Sequence, residues 1–265
     1  MQTPQIVYAA RSDKGRARRN NEDNLYCCGT FLTDDIRNLP FRTEGRAAVP
    51  AVFAVFDGIG GEHLGEYASL TAVLTLKEHA ANIAGAGPER NDEAVRVFVA
   101  ETNRRIRDES EKSSVSMGTT MVLAVVDKSG IRAYSIGDSR IYVLDRDGFR
   151  QVNTDQTLAM RKVAEGLITE AEARRSRDWS MLTACIGIPV DNGAYSEVQI
   201  DPPVPLTGKT RLLLCSDGLS DMVPDDRIEQ ILRSEQSVDK AVKVLMSEAL
   251  NNGGRDNITI IAADI

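Results

Sequence analysis

The chain has 265 residues, 42 % of them hydrophobic and 27 % charged, with a net charge of −7. A chain of that size and mix can build a substantial core, which excludes wholesale disorder. The acidic balance leaves no basic excess to neutralise phosphates, which argues against nucleic acid as the main partner.

In chain order, Gln5 to Ala10 predicts a short first strand, and the polar stretch Ser12 to Asp23 predicts a loop. Asn24 to Phe31 can return as a strand. Thr33 to Pro50 is mixed, holds two prolines, and reads as an irregular excursion or hairpin. Ala51 to Phe56 (AVFAVF) is apolar, β-branched and aromatic, and predicts a strand buried on both faces. It ends in Asp57-Gly58-Ile59-Gly60-Gly61, where glycines let the backbone approach whatever the carboxylate holds.

From His63 to His79 the pattern is helical, with Leu64, Tyr67, Leu70 and Leu74 recurring at spacings of three and four. A second helix is expected after Asn91 as N-cap, with Asp92 and Glu93 in its first turn. Val95, Phe98, Val99, Thr102 and Ile106 form its apolar face. Gly118 to Asp127, Ile131 to Ile136 and Ile141 to Leu144 read as an antiparallel meander. Gln156 to Arg177 is charged and locally helical, and is expected to form a flap between strands. Tyr195 to Ile200 and Thr210 to Cys215 return to strand. Pro224 is placed at a helix N1, with Ile228, Ile231 and Leu232 buried. Ser237 caps a last helix, which Gly253-Gly254 ends, and Asn257 to Ala262 is the final strand. Runs of strands with paired helices, and no linker, point to one α+β domain over residues 1–265 with antiparallel sheets and a flap subdomain at 156–180.

No apolar run reaches the ~18 residues of a membrane span. The opening MQTPQIVYAARSDKGR lacks the basic-then-apolar order of a signal peptide. The four cysteines form no C-x-x-C pair and there are two histidines, so a structural zinc site is not expected. Free thiols fit a reducing compartment, so the expected location is the cytoplasm. Cys215 ends an apolar run and reads as inert core.

Four times an apolar stretch or glycine pair gives way to an aspartate beside a small or polar residue: Asp57-Gly58, Asp138-Ser139, Asp217-Gly218 with Asp221 four residues on, and Asp256-Asn257. Glu22-Asp23 beside Asn24 makes a fifth cluster. Each alone is an ordinary turn signal. Strand ends gathered at one edge of a sandwich would bring them together, and carboxylates that close cannot all ionise unless cations balance them. An all-oxygen set selects Mg²⁺ or Mn²⁺ over zinc or copper. Two such ions, ~3.5–4 Å apart, would activate a water for in-line attack on phosphorus.

The ordered set Ser12-Asp13-x-Gly15-x-x-Arg18-x-x-Asn21-Glu22-Asp23, Asp57-Gly58-x-Gly60-Gly61, Gly118-Thr119-Thr120, Gly137-Asp138-Ser139-Arg140-x-Tyr142, Asp217-Gly218-Leu219 and Gly254-x-Asp256-Asn257-Ile258-Thr259 resembles the bacterial type 2C (PPM) metal-dependent Ser/Thr protein phosphatases. The resemblance spans nearly the whole chain. It implies a four-layer α/β/β/α sandwich, two antiparallel sheets flanked by helix pairs. It implies a phosphoprotein phosphatase that hydrolyses phosphoserine and phosphothreonine by direct attack of a water held between two Mn²⁺ or Mg²⁺ ions, with no phospho-enzyme. The expected partners are phosphorylated Ser/Thr proteins, including a cognate kinase or its targets. The alternative is a non-catalytic phosphoprotein-binding module on the same fold, which would be expected to have lost metal ligands.

By the same resemblance Asp57 bridges the two ions, Asp217 and Asp256 complete one site, and Glu22 with the Gly58 carbonyl completes the other. Asp23 acts from behind the ligands through a water. Asp138 and Asp221, sharing Asp217, hold a weaker third ion. Arg18 grips the substrate phosphate, for which a guanidinium offers bidentate donors. Two positions depart from the family: Ile59 stands where many eukaryotic members carry a histidine, and Gln156 replaces a usual histidine. His63 is not assigned as general acid. Asp155 is expected to serve turn structure.

Overall fold

The computed structural model describes residues 5–60, 64–189 and 196–265. His63, Gly61 and Tyr195, which bear on the expectations above, lie outside the described residues. Thirteen strands and seven α-helices are seen among the described residues.

The first sheet has six strands in the order β10 (Gly148–Gln151), β9 (Arg140–Asp145), β12 (Arg211–Cys215), β13 (Ile258–Asp264), β1 (Gln5–Asp13) and β3 (Phe41–Ala48). The second has five, β11 (Gln199–Ile200), β8 (Ile131–Ile136), β7 (Met121–Val126), β4 (Ala51–Phe56) and β2 (Asn24–Cys27). All the pairings are antiparallel. A two-stranded ribbon joins β5 (Gly58–Gly60) to β6 (Met117–Thr119).

The alternation of side chains along each strand sorts them into three cores. Leu25, Phe53, Val55, Val122, Ala124, Ile141, Leu212, Leu214 and Ile261 meet between the sheets. The opposite face of the second sheet, with Val52, Ala54, Phe56 and Leu123, packs on helices α1 (Gly65–Gly85) and α2 (Asn91–Ser113). The outer face of the first sheet, with Leu213, Cys215, Ile258 and Ile260, packs on α6 (Asp225–Ser234) and α7 (Val238–Asn251). The result is the expected four-layer α/β/β/α sandwich, and Ala51–Phe56 is buried on both faces of its sheet.

Several expectations shift. Residues 33–50 hold an eight-residue strand, β3, paired with β1 from Gln5 opposite Ala48 to Ser12 opposite Phe41. Its alternating half-buried and exposed residues mark an edge strand, which the mixed composition concealed. The second strand ends at Cys27 because Cys28 adopts a positive φ of 51°. Thr120 divides Gly118–Asp127, so that Met117–Thr119 pairs with Gly58–Gly60 and Met121–Val126 enters the main sheet. On α1 the buried stripe is Ala68, Ala72, Val73, Leu76, Ala80 and Ile83, and Tyr67 and Leu74 face solvent. The small alanines let the helix close on its neighbours, so the larger residues were the wrong guide to its inner face. Asn91 is the first residue of α2, not its cap; Arg90 takes the cap position. Pro224 sits at the cap of α6, one residue before the predicted place. Ser237 caps α7, its side chain accepting from the Lys240 N–H.

The 156–180 region is three short helical pieces: α3 (Leu158–Ala164), α4 (Glu170–Ala173) and a 3₁₀ turn, Arg177–Ser180. Thr157 and Thr169 cap the first two, the latter with a full capping box through Glu172. Cys27, Cys185 and Cys215 are buried free thiols. Burial pushes Cys215 far above the ordinary thiol range, as an inert core residue requires. No described helix is long and apolar enough to cross a membrane.

Candidate metal centre

The candidate carboxylates come from strand ends at one edge of the sandwich. Asp57 follows β4, and its backbone is pinned on both sides. Its N–H donates to Thr120 Oγ1 at 3.1 Å, and its carbonyl accepts from the Thr120 N–H at 2.8 Å and the Thr119 hydroxyl at 2.9 Å. The Thr120 and Ser139 hydroxyls bond at 2.8 Å, which ties the end of β4 to the turn carrying Asp138. Asp217 is the first residue of the short helix α5 (Asp217–Ser220) that follows β12.

Glu22, Asp23 and Arg18 lie on the 14–23 loop, which Asn257 holds. The Asn257 amide donates to the carbonyls of Lys14 (2.9 Å) and Asn20 (2.8 Å), and its Oδ1 accepts from the Glu22 N–H at 2.7 Å. Asn21 adds bonds to Ser12 Oγ (2.9 Å) and the Arg37 carbonyl (3.1 Å). Gly58 is where three segments touch: a Cβ there would overlap the Gly65 carbonyl oxygen and come within 2.5 Å of the Glu22 carbonyl oxygen. A Cβ on Gly65 would lie 2.8 Å from Glu22 Oε2, which places that carboxylate against the start of α1. The close approach at Gly58 is thus to the backbone of Gly65 and Glu22.

Electrostatics show how far the acids converge. Burial pushes Asp57 well above the usual carboxylate range, and the charges of Asp23, Asp217, Asp256 and Asp138 push the same way. Burial likewise raises Asp217, with Asp138, Asp256, Asp221 and Asp23 as its charged neighbours. Asp23 is raised to about 7 by burial, against the hydroxyls of Thr259 and Ser216, with Asp256 and Glu22 adding to the rise. Asp138 is raised to about 7 by burial and by Asp155 and Asp221, with its backbone and Arg140 opposing. The six aspartates of the predicted set are thus linked by pairwise repulsion, with Glu22 joined to them through Asp23. Two carboxylates 4 Å apart repel by ~4 kcal/mol at a protein surface, so several cannot stay ionised unless cations balance them.

A divalent ion fits this donor set. Asp23 Oδ1 and Asp217 Oδ1 are buried with no hydrogen-bond partner, each an acceptor of unmet demand. Every candidate donor is oxygen, which suits Mn²⁺ or Mg²⁺. Among the described residues no three acidic, histidine or cysteine side chains already close on one point, so an ion would have to draw them in.

Arg18 is half-exposed and donates from Nη2 to Asp256 Oδ2 at 2.6 Å. Partial burial works against its charge, but the bond and charge of Asp256, with Glu22 and Asp57, outweigh it and hold the guanidinium ionised. Asp256 Oδ1 accepts from the Asn257 N–H at 2.8 Å. Asp221 is exposed, and its Oδ1 accepts from Trp179 Nε1 at 2.9 Å.

Asp155 differs from its expected turn role. It is buried and takes Arg140 bidentately, Nε at 3.0 and 2.9 Å and Nη2 at 2.6 Å. Gln156 fastens the root of the 156–180 region to Gly137: its N–H donates to the Gly137 carbonyl at 2.9 Å and its Oε1 accepts from the Gly137 N–H at 2.7 Å. Sequence reasoning assigned no role to Asn257, Ser216, Thr120 or Trp179. Asn257 and Thr120 stood inside quoted motifs, whereas Ser216 and Trp179 act through partners far away in the chain.

Compared with known proteins, the family model for Protein phosphatase 2C matches residues 29–253. The "Serine/threonine phosphatase stp" of Listeria welshimeri is 33 % identical over 261 residues, covering 96 % of this chain and 94 % of that protein. The "Serine/threonine protein phosphatase PstP" of Mycobacterium tuberculosis is 32 % identical over 265 residues, 98 % of this chain and 45 % of that longer protein. The crystal structure of the M. tuberculosis phosphatase PstP/Ppp superimposes with a TM-score of 0.78 at 30 % identity, covering 99 % of both chains. That of the PstP catalytic domain with two manganese ions gives 0.73 at 29 % identity, covering 98 % of this chain and 99 % of that one.

Proposed function

This chain belongs to the protein phosphatase 2C family, and we propose that its acidic pocket hydrolyses phosphoserine and phosphothreonine in proteins with Asp57 at its centre. The activity is that of a metal-dependent protein-serine/threonine phosphatase using Mn²⁺ or Mg²⁺. The observation that carries the residue assignment is the mutual charge coupling of Asp57 with Asp23, Asp138, Asp217 and Asp256, which stand on separate segments of the chain.

Asp57 with Asp217 and Asp256 would hold one ion, and Asp57 with Glu22 and the Gly58 carbonyl would hold a second. Asp138 and Asp221, with Asp217, make a weaker third site. Asp23 supports the pocket from behind, fixed through its Oδ2 by the Ser216 hydroxyl. When bound, the ions supply charge neutralisation and a water acidic enough at neutral pH to attack phosphorus in line. Arg18 presents its planar fork to the phosphate oxygens, exchanging the Asp256 bond for the substrate. Thr119 and Thr120 keep the Asp57 backbone from shifting as the phosphate enters. No side chain acts as nucleophile, so no phosphorylated enzyme is formed.

The whole chain acts as one phosphatase domain, with residues 156–180 as a flap beside the pocket. The substrates are cytoplasmic phosphoproteins, a cognate Ser/Thr kinase or its targets among them; the absence of a membrane-length apolar helix from the described residues fits this. Phosphate release from p-nitrophenyl phosphate and from a phosphothreonine peptide, with Mn²⁺ and with chelator, tests the reading. Equal rates in both conditions, or none in either, would sink it.

A further inference from the structure

We propose that Trp179 is a latch between the flap and the acidic pocket, whose indole N–H and a divalent cation compete for the Asp221 carboxylate, so that loading this end of the pocket releases the flap. The proposal rests on the third-ion reading of Asp138, Asp217 and Asp221 given above.

Trp179 is the chain's one tryptophan and sits in the 3₁₀ turn at the end of the flap. Its Nε1 donates to Asp221 Oδ1 at 2.9 Å. Two guanidiniums lie over its ring, with Arg140 Cζ 5.6 Å and Arg174 Cζ 5.3 Å from the centroid. They belong to different bodies. Arg140 is buried in β9 and locked onto Asp155. Arg174 belongs to the flap and reaches Asp225 at 3.4 Å, the carboxylate that also accepts from the Tyr142 hydroxyl at 2.9 Å. Beneath this contact lies a cavity of about 230 Å³ lined by Arg140, Asn153, Asp155, Met160, Arg174 and Trp179. The indole is therefore a bridge, stacked against a fixed cation of the core and a cation of the flap.

The two ends of the flap reach neighbouring acids. Its root, Gln156, is bonded twice to Gly137, next to Asp138. Its far end is bonded to Asp221, a charged neighbour of both Asp138 and Asp217. An ion shared by those three carboxylates draws Asp221 inward, while Trp179 holds it toward the flap. The competition is one of position: drawing Asp221 toward Asp138 and Asp217 pulls its Oδ1 away from the Trp179 N–H, and by reciprocity the bond weakens the ion.

The test uses the full chain and Mg²⁺, with the single tryptophan as reporter. Tryptophan emission is followed alongside calorimetry. A saturable change in emission is expected, tracking the weaker class of Mg²⁺ sites. Asp221→Asn should abolish that change while leaving the stronger binding heat. Trp179→Phe keeps a smaller aromatic ring under the two guanidiniums and removes the N–H; followed by calorimetry, it should tighten the weaker class by about three- to tenfold. Weak-class heat with unchanged emission, or unchanged weak-class affinity in Trp179→Phe, overturns the latch and leaves the phosphatase reading standing. Absence of any divalent-ion heat overturns the metal reading itself, and the latch with it.

Discussion

Ser216 donates its hydroxyl to Asp23 Oδ2 at 2.7 Å and, through the same oxygen, accepts the Thr259 N–H at 3.0 Å. One hydroxyl thus joins the loop that carries Glu22 to the strands that carry Asp217 and Asp256. Ser216→Ala leaves Asp23 buried with neither oxygen bonded to Ser216, and should cost about 1–3 kcal/mol. Chemical denaturation in chelator measures it, and a change within error would mean that the bond contributes little.

Asp57→Asn and Asp217→Asn each remove a charge that the fold holds partly buried among other acids. Turnover with Mn²⁺ should fall at least about a thousandfold, because ligand charge is lost with little change in size. Without divalent ions the same variants should melt higher than the parent, since an unneutralised buried charge has gone. A thermal melt with and without Mn²⁺ reads both signs, and a lower melting point in chelator would contradict the electrostatic account.

Stability in chelator should fall as pH rises. Asp23 and Asp138 titrate near 7 in the fold, against an ordinary 3.8. Between about pH 4 and 7 the folded chain binds more protons than the unfolded one, so each step up in pH in that window favours unfolding, and the loss is complete above 7. Mn²⁺ needs the ionised acids, so its affinity should drop below about pH 7 and its stabilising effect should be largest above it. Melting curves from pH 5 to pH 8, with chelator and with Mn²⁺, should therefore diverge upward in pH; parallel curves would refute this.

Arg18→Ala should mainly raise KM, by roughly tenfold, because the side chain is half-exposed and free to transfer from Asp256 to a phosphate. Steady-state kinetics on a phosphopeptide separate the cases. An unchanged KM with a reduced kcat would place Arg18 in the transition state instead.

Asp155→Ala leaves the buried Arg140 guanidinium with only the Tyr142 hydroxyl at 3.0 Å and the longer 3.4 Å contact to Asp225, and should destabilise the fold by about 2–4 kcal/mol. A double substitution that also replaces Arg140 with methionine should recover much of that loss. Failure of the recovery would show that Arg140 also matters through Tyr142 and Trp179.

The α+β class was legible in the segments, through the apolar run Ala51–Phe56 and the helical periodicity of Val238–Ala249, whereas the four-layer sandwich came from the family resemblance. Asp57, Asp138, Asp217 and Asp256 stood out because each follows an apolar run or a glycine pair, whereas Glu22 and Asp23 lie in a polar loop. The sequence hid what depends on partners distant in the chain. Strand Phe41–Ala48 is an edge with weak apolar content, so only its pairing with Gln5–Ser12 defines it. The inner face of Gly65–Gly85 is lined by alanines, which periodicity underweights beside Tyr67 and Leu74. Asp155 has the look of a turn aspartate, and its partner Arg140 could be found only in three dimensions.

Strand β13 lies between β12 and β1, and Asn257 at its head clamps the loop near the other terminus. During synthesis, then, a nascent chain lacking its last dozen residues has neither the inner strand of one sheet nor the clamp that orders Glu22. Pairings that long in sequence also close slowly. A chain interrupted before residue 254 thus has most of the acids but neither the strand nor the clamp that holds Glu22 in place.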